Sequence, residues 1–286
     1  MSKDKSPVYG RRKRGNAFRS FLVVLLSSAA IALAGAGVWQ LLDPVDYQPP
    51  LEPLTSQSQP EPASEPESSA SSQPEEESSA PAQDGPEVQE GEWLASEYFD
   101  DALFVGDSIT EGIKLYDVMS NVTVLADTGV NLNSLYTKDV VELEDGSVVP
   151  ILEATQYYNP GKIYLMMGIN SMLSDEESFR ESYAQVVDTL ISQHPDAILY
   201  IQSILPVTAE YEQSSGAVAD NAKIDRYNEI LKDLAEEKGV YYLNVAEVFK
   251  DENGCLPTEA SPHDGIHFSS SWYRKWFDYL RTHGAE

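Results

Sequence analysis

The sequence predicts an α/β domain, a parallel sheet with helices on both faces. Two observations predict it. From residue 92 to residue 286, short apolar runs of strand length alternate with longer stretches whose apolar residues recur at helical spacing. The short runs are also mainly apolar, as strands buried on both faces require. Ligands in such sheets bind beyond the C-terminal ends of the strands, so the polar residues that follow each strand are the place to look for chemistry.

The elements follow in order. Ala102-Leu103-Phe104-Val105 reads as a buried strand, broken by Gly106, and Ser108-Ile109-Thr110-Glu111 can cap a short helix. Residues 122–126 form a second strand that ends near Gly129. Between Val140 and Val149, Asp145-Gly146 sits among β-branched residues and signals a hairpin. Pro160-Gly161 introduces a buried strand at 162–167, followed by Gly168-Ile169-Asn170-Ser171. Ser174 opens a capping box with Glu177, and Phe179, Tyr183, Val186, Val187, Leu190 and Ile191 mark the helix behind it. Residues 197–205 are a strand. Ile224, Tyr227, Leu231 and Leu234 mark a helix that Gly239 ends, and residues 240–245 are the last strand. Residues 269–281 close the chain as a helix with Trp272, Trp276, Phe277 and Leu280 on its apolar side. The hairpin near Asp145 is expected to overhang the strand ends, and the loop 206–220 with Tyr211 to wall them opposite.

Ahead of this domain the composition changes sharply. Residues 1–20 carry seven Lys and Arg and read as a basic cytoplasmic tail. No charge occurs between Arg19 and Asp43, so residues 21–42 suffice for a membrane-spanning signal-anchor helix with the N-terminus cytoplasmic. A cleaved signal peptide is the alternative, since Ala32-Leu33-Ala34 and Ala34-Gly35-Ala36 offer cleavage patterns; the length of the charge-free stretch favours the anchor. Both readings place the rest of the chain outside the cytoplasm. Residues 43–91, rich in Pro, Ser, Glu and Gln, read as a disordered spacer, able to reach at most roughly 150 Å at about 3.1 Å per residue. The domain at 92–286 holds 12 Lys and Arg against 34 Asp and Glu, a formal −22, which repels nucleic acid and anionic headgroups. Cys255 is the only cysteine, so there is neither a disulfide framework nor a Cys-rich metal site.

Acyl transfer by a serine needs a base, a group that orients the base, and donors aimed at the oxyanion. Ser108 at a strand end is a candidate nucleophile, His267 the base and Asp264 its orienting acid. The N–H groups of Ser108 and Gly129 and the Asn170 side-chain amide are candidate oxyanion donors. Taken singly, each has a plain structural reading: Ser108 and His267 as helix caps, Asp264 as an Asx-turn residue, Gly129 as a tight turn, Asn170 as a loop cap. Their occurrence at successive strand ends favours the joint reading. One well-placed His, one Asp and no Cys fall short of a usual zinc set.

Gly106-Asp107-Ser108, Gly129, Gly168-Ile169-Asn170 and Asp264-Gly265-Ile266-His267 together resemble the four blocks of the GDSL/SGNH hydrolases, in the right order over residues 102–267. The resemblance implies a three-layer α/β/α sandwich with a five-stranded parallel sheet, flavodoxin-like in arrangement. It also implies Ser108 as nucleophile, Asp264 and His267 completing a triad, Gly129 and Asn170 with Ser108 in the oxyanion hole, and no metal or organic cofactor. Two positions depart from the family pattern: Ile109 stands for the usual Leu, and Ser171 for the Asp that commonly follows the Asn. The expected function is a membrane-tethered, extracytoplasmic serine esterase. Its expected substrate is a short acyl ester such as an O-acetyl group on cell-envelope or environmental carbohydrate. A lysophospholipase or thioesterase acting on longer chains, an acyltransferase and a non-catalytic carbohydrate-binding domain are the rivals.

Overall fold

The computed structural model describes residues 85–285. The expected tail, anchor helix and most of the spacer lie outside the described residues. Among the described residues no helix is long and apolar enough to cross a membrane.

In chain order the strands are β1 (Ala102–Gly106), β2 (Thr123–Ala126), β3 (Asp139–Glu142), β4 (Val148–Pro150), β5 (Lys162–Met166), β6 (Ile198–Gln202) and β7 (Tyr241–Leu243). The helices are α1 (Ser108–Leu115), α2 (Ile151–Ala154), α3 (Glu176–Gln193), α4 (Ala209–Glu212), α5 (Asn221–Lys238) and α6 (Ser270–Thr282). Five strands form one all-parallel sheet in the order β2-β1-β5-β6-β7, while β3 and β4 pair antiparallel as the expected hairpin. The order reverses between β1 and β5, and a crevice opens at their C-terminal ends because the connections leave in opposite directions there.

Alternating residues of the buried strands serve two cores. Leu103, Val105, Ile163, Leu165, Leu199 and Ile201 face one side, against Phe179, Tyr183, Val187 and Leu190 of α3 and Ile224, Tyr227 and Leu231 of α5. Phe104, Tyr164 and Tyr200 face the other, beside Ile113 of α1 and Tyr273, Trp276, Phe277 and Leu280 of α6. These three rings lie in register on adjacent strands and stack with centroids 4.7 Å apart and planes 10° from parallel at both steps. Such offset stacks add to the burial energy of the rings and tie β1, β5 and β6 into one rigid support.

Several expectations are corrected. The fold begins before Glu92: Tyr242 N–H donates to Pro86 O at 2.8 Å, Val88 N–H donates to Tyr242 O at 3.0 Å, and Val88 is buried. Strand β7 is an edge whose outer backbone groups need partners, so the last residues assigned to the spacer join the sheet. The cap of α1 is Asp107 rather than Ser108, and that of α3 is Asp175 rather than Ser174; each carboxylate accepts a first-turn N–H. The C-terminus is docked on the domain: His283 is buried, its Nδ1 lies 2.8 Å from Tyr279 O, and Ala285 N–H donates to Tyr200. His194, the C-cap of α3, has its pKa pushed down by burial, which disfavours the charged form there.

Candidate active site

The site stands where the strand order reverses. Ser108 follows β1 as the first residue of α1. Asn170 lies in a 3-10 turn, Ile169–Ser171, just after β5. Asp264 and His267 come from the loop that enters α6. The turn after β1 is fixed by Asp107, whose Oδ1 accepts the Ile109 N–H at 3.0 Å. With its neighbour so engaged, the Ser108 N–H donates to no described backbone group, as the first N–H of a helix cannot.

The three residues expected to act together are brought together. His267 Nε2 lies 2.8 Å from Ser108 Oγ, and His267 Nδ1 lies 2.7 Å from Asp264 Oδ2. An ionised carboxylate only accepts, so Nδ1 carries the ring proton and Nε2 is left to accept the Ser108 hydroxyl. Asp264 is held from three sides: its Oδ1 accepts the N–H groups of Ile266 and His267 at 2.9 Å each and the Ser261 hydroxyl at 3.2 Å. Burial is the largest single influence on its pKa and acts upward. The hydrogen bonds from Ile266 and from the His267 ring and backbone outweigh it and bring the carboxyl down to about 2. Asp264 therefore stays ionised at any ordinary working pH. The loop expected to wall the site backs this turn directly. A Cβ on Gly265 would come within 2.6 Å of both Thr208 Oγ1 and Tyr211 Cβ, and Thr208 N–H donates to Gly265 O at 3.0 Å.

The other half of the site is a set of donors. Gly129 is exposed, at φ +75°, and its N–H has no backbone acceptor among the described residues. Asn170 donates one amide hydrogen to Val130 O at 2.9 Å, which leaves the second free. Ser171, in place of the family's usual Asp, accepts the Leu132 N–H at 3.2 Å. Asn170 and Ser171 thus clasp the loop that follows Gly129, and the clasp sets the orientation of the Asn170 amide. From outside, Lys138 at the base of the hairpin reaches the Asp127 carboxylate and donates to Thr128 O at 3.0 Å, while the Thr128 hydroxyl donates to Glu111 at 2.7 Å. The hairpin itself packs on α2 and on the 3-10 turn Ser134–Tyr136. At Gly168 φ is +146°, and a Cβ would lie 2.4 Å from Ile204 Cδ1, so only glycine lets the chain turn from β5 toward Asn170 without strain.

One buried charge sits beneath the nucleophile. Asp107 is 2% exposed. Burial raises its carboxyl to about 6, against the lowering effects of the Ile109 hydrogen bond and the nearby His267. A cavity of about 20 Å³ borders Asp107, Met166, Gly168, Ile204 and Ile266, room for about one water molecule. Among the described residues no cluster of three or more His, Cys, Asp and Glu side chains has the arrangement to hold a metal ion.

A model of the GDSL-like lipase/acylhydrolase family matches residues 104–275, from the middle of β1 into α6. The chain belongs to this family. It is an ester-hydrolysing enzyme. Among solved structures it is similar to a Streptococcus pneumoniae protein named for platelet activating factor, at 22% identity over 65% of this chain and 87% of that one, with a TM-score of 0.51; at that identity the likeness speaks to the fold. A GDSL-like lipase from Bacteroides thetaiotaomicron is 15% identical over 66% of this chain and 88% of its own, with a TM-score of 0.46. An acetyl xylan esterase is 16% identical over 63% and 96%, with a TM-score of 0.43. A search of the curated proteins gave no match.

In this GDSL-like acylhydrolase, Ser108, His267 and Asp264 are joined by hydrogen bonds, and Asn170 holds the loop that follows Gly129. Sequence reasoning missed the side chains that hold them: Asp107 as the cap, Ser261 behind Asp264, Ser171 on Leu132, and Lys138 and Glu111 around the Gly129 loop. Ser261 carried a local signal, standing three residues before an Asp that opens a turn. Lys138 and Glu111 carried none, because only the fold brings them together.

Proposed function

We propose that the chain hydrolyses short acyl esters through a Ser108-His267-Asp264 triad, with the N–H groups of Ser108 and Gly129 and the Asn170 amide as the oxyanion hole. The observation that carries this is the continuous hydrogen-bonded chain from Ser108 Oγ through His267 to Asp264, at 2.8 and 2.7 Å. Ser108 Oγ attacks the ester carbonyl carbon as its proton passes to His267 Nε2. The carbonyl oxygen takes up the electron pair and is stabilised by the three donors. When the tetrahedral adduct collapses, the bond to the alcohol breaks and His267 returns the proton to the departing oxygen. Water, deprotonated by His267, then cleaves the acyl-serine by the same path. Asp264, ionised throughout, stabilises the imidazolium that forms in each half. Ser108→Ala should fold normally and lose about three or more orders of magnitude in esterase rate, and a serine-reactive phosphonate should label Ser108 alone. Labelling elsewhere, or activity retained in the variant, would refute the assignment.

The preferred acyl group is short, and the substrate an O-acetylated carbohydrate. A formal −22 over residues 92–286 disfavours docking on an anionic bilayer. The rate constants kcat/KM for p-nitrophenyl acetate, butyrate and decanoate test it, since each methylene that finds an apolar groove gains up to about 0.8 kcal/mol. A steady rise toward decanoate would replace this reading with a lipolytic one. We place the enzyme outside the cytoplasm, tethered through residues 21–42. Protease added to spheroplasts should release a domain whose N-terminus lies within the spacer; complete protection would reverse the topology.

A further inference from the structure

A second groove, far from the catalytic crevice, has the chemistry of a sugar-binding surface. It measures about 550 Å³ and is lined by Tyr136, Glu153, Gln156, Tyr157, Thr189 and Gln193, with Leu152 beneath. Helix α3 joins parallel strands and so runs antiparallel to them. Thr189 lies thirteen residues beyond Glu176, its first residue, which puts the groove roughly 20 Å down the helix, toward the N-terminal ends of the strands. None of its lining residues belongs to the esterase site.

The floor of the groove is held in place before any ligand arrives. Tyr136 and Thr189 share a hydroxyl hydrogen bond at 2.9 Å. Gln193 accepts from the Thr155 hydroxyl at 2.6 Å and donates to Leu152 O at 3.1 Å. Tyr136, though tethered by its hydroxyl, still shows part of its ring, and Tyr157, Glu153 and Gln156 stand above the floor. Tyr157 is 63% exposed and Tyr136 40%, and neither Glu153 nor Gln156 makes a side-chain hydrogen bond among the described residues. Exposed aromatic rings carry a negative face that meets the C–H face of a sugar ring. A carboxylate and an amide beside them supply acceptors and donors for its hydroxyls, and a preorganised floor lowers the cost of ordering on binding. No lining residue is basic, and Glu153 adds to an already acidic surface. Anionic glycans are therefore excluded.

We propose that this groove binds a neutral polysaccharide chain, holding the polymer on the enzyme away from the site of ester cleavage. The observations behind it are independent of the esterase reading. The test uses the purified full chain in gels containing β-glucan, glucomannan or polygalacturonate, with migration measured against polymer concentration. The two neutral polymers should retard the protein and polygalacturonate should not. Tyr157→Ala and Gln156→Ala, both exposed positions, should each weaken retardation about tenfold while leaving kcat/KM for p-nitrophenyl acetate and the melting temperature unchanged. No retardation by either neutral polymer, equal retardation of wild type and both variants, or equal retardation by polygalacturonate would each overturn the proposal, as would loss of p-nitrophenyl acetate hydrolysis in a normally melting variant. The glucomannan is deacetylated with alkali beforehand, so that no polymer carries an acetyl ester, and the same gels run with Ser108→Ala read binding alone. Retardation without hydrolysis of any acetylated glycan by the wild type would overturn the substrate reading and leave the groove standing.

Discussion

Replacing Asp107 by Asn should stabilise the fold in a pH-dependent way. Asp107 is almost fully buried, and burial raises its carboxyl from 3.8 to about 6. The unfolded chain releases this proton near pH 4, whereas the folded chain holds it up to about pH 6. The folded state thus binds more protons than the unfolded one in that window. Stability falls as pH rises through it, and the whole cost is present above about pH 6. At 1.36 kcal/mol per pKa unit the cost is about 3 kcal/mol. Asn keeps an oxygen to accept the Ile109 N–H and is as good a cap, but it carries no charge to desolvate. At pH 7.5 the variant should gain up to about 3 kcal/mol, a rise in Tm of about 6–12 °C for a domain of this size. At pH 4 the two proteins should melt together. Calorimetry at pH 4, 5, 6 and 7.5 gives the profile. An equal difference at pH 4 and 7.5, or a variant less stable at pH 7.5, would refute the reasoning. Esterase activity should move the other way. His267 acts on the Asp107 carboxyl through space, and the positive charge that the ring takes up in the reaction is attracted by the Asp107 carboxylate. Removing it should reduce kcat even as stability rises, the usual exchange between a strained site and a stable fold.

Asn170→Ala should lower kcat by about 10²–10³-fold with a smaller change in KM; an effect confined to KM would make Asn170 a substrate-binding residue instead. Lys138→Met removes the ammonium that holds Asp127 and the Thr128 carbonyl. Because this pair is exposed, worth about 0.2–1 kcal/mol, kcat should fall at most about fivefold, and less at high salt; a salt-independent loss would count against a role through that pair. Activity on p-nitrophenyl acetate should survive EDTA, and a loss restored by a divalent ion would contradict the triad mechanism.

The alternation of apolar runs determined the fold class because burial on both faces leaves a parallel strand few polar positions, and that demand is written in 102–105, 163–166 and 198–201. The places to look for chemistry were legible for the same reason: strand ends are marked by Gly106 and Gly168, and the residues that follow them have to lie at the sheet's rim. Local turn chemistry was less legible. Both Ser108 and Ser174 compete as caps with a neighbouring Asp, and the backbone geometry of the turn, not the residue type, decides which side chain reaches the first free N–H. Long-range pairs were not legible at all. Val88 beside β7, His283 on Tyr279, Ser171 on Leu132 and Lys138 on the Gly129 loop follow from which strand is an edge and which loops the sheet order brings side by side. Four blocks spread over residues 106–267 named Ser108, Gly129, Asn170, Asp264 and His267. Only the tertiary structure decided that Ser108, His267 and Asp264 meet within hydrogen-bond distance and that Asn170 is turned by Val130, because those distances depend on the reversal of strand order between β1 and β5, which no local pattern in the chain encodes.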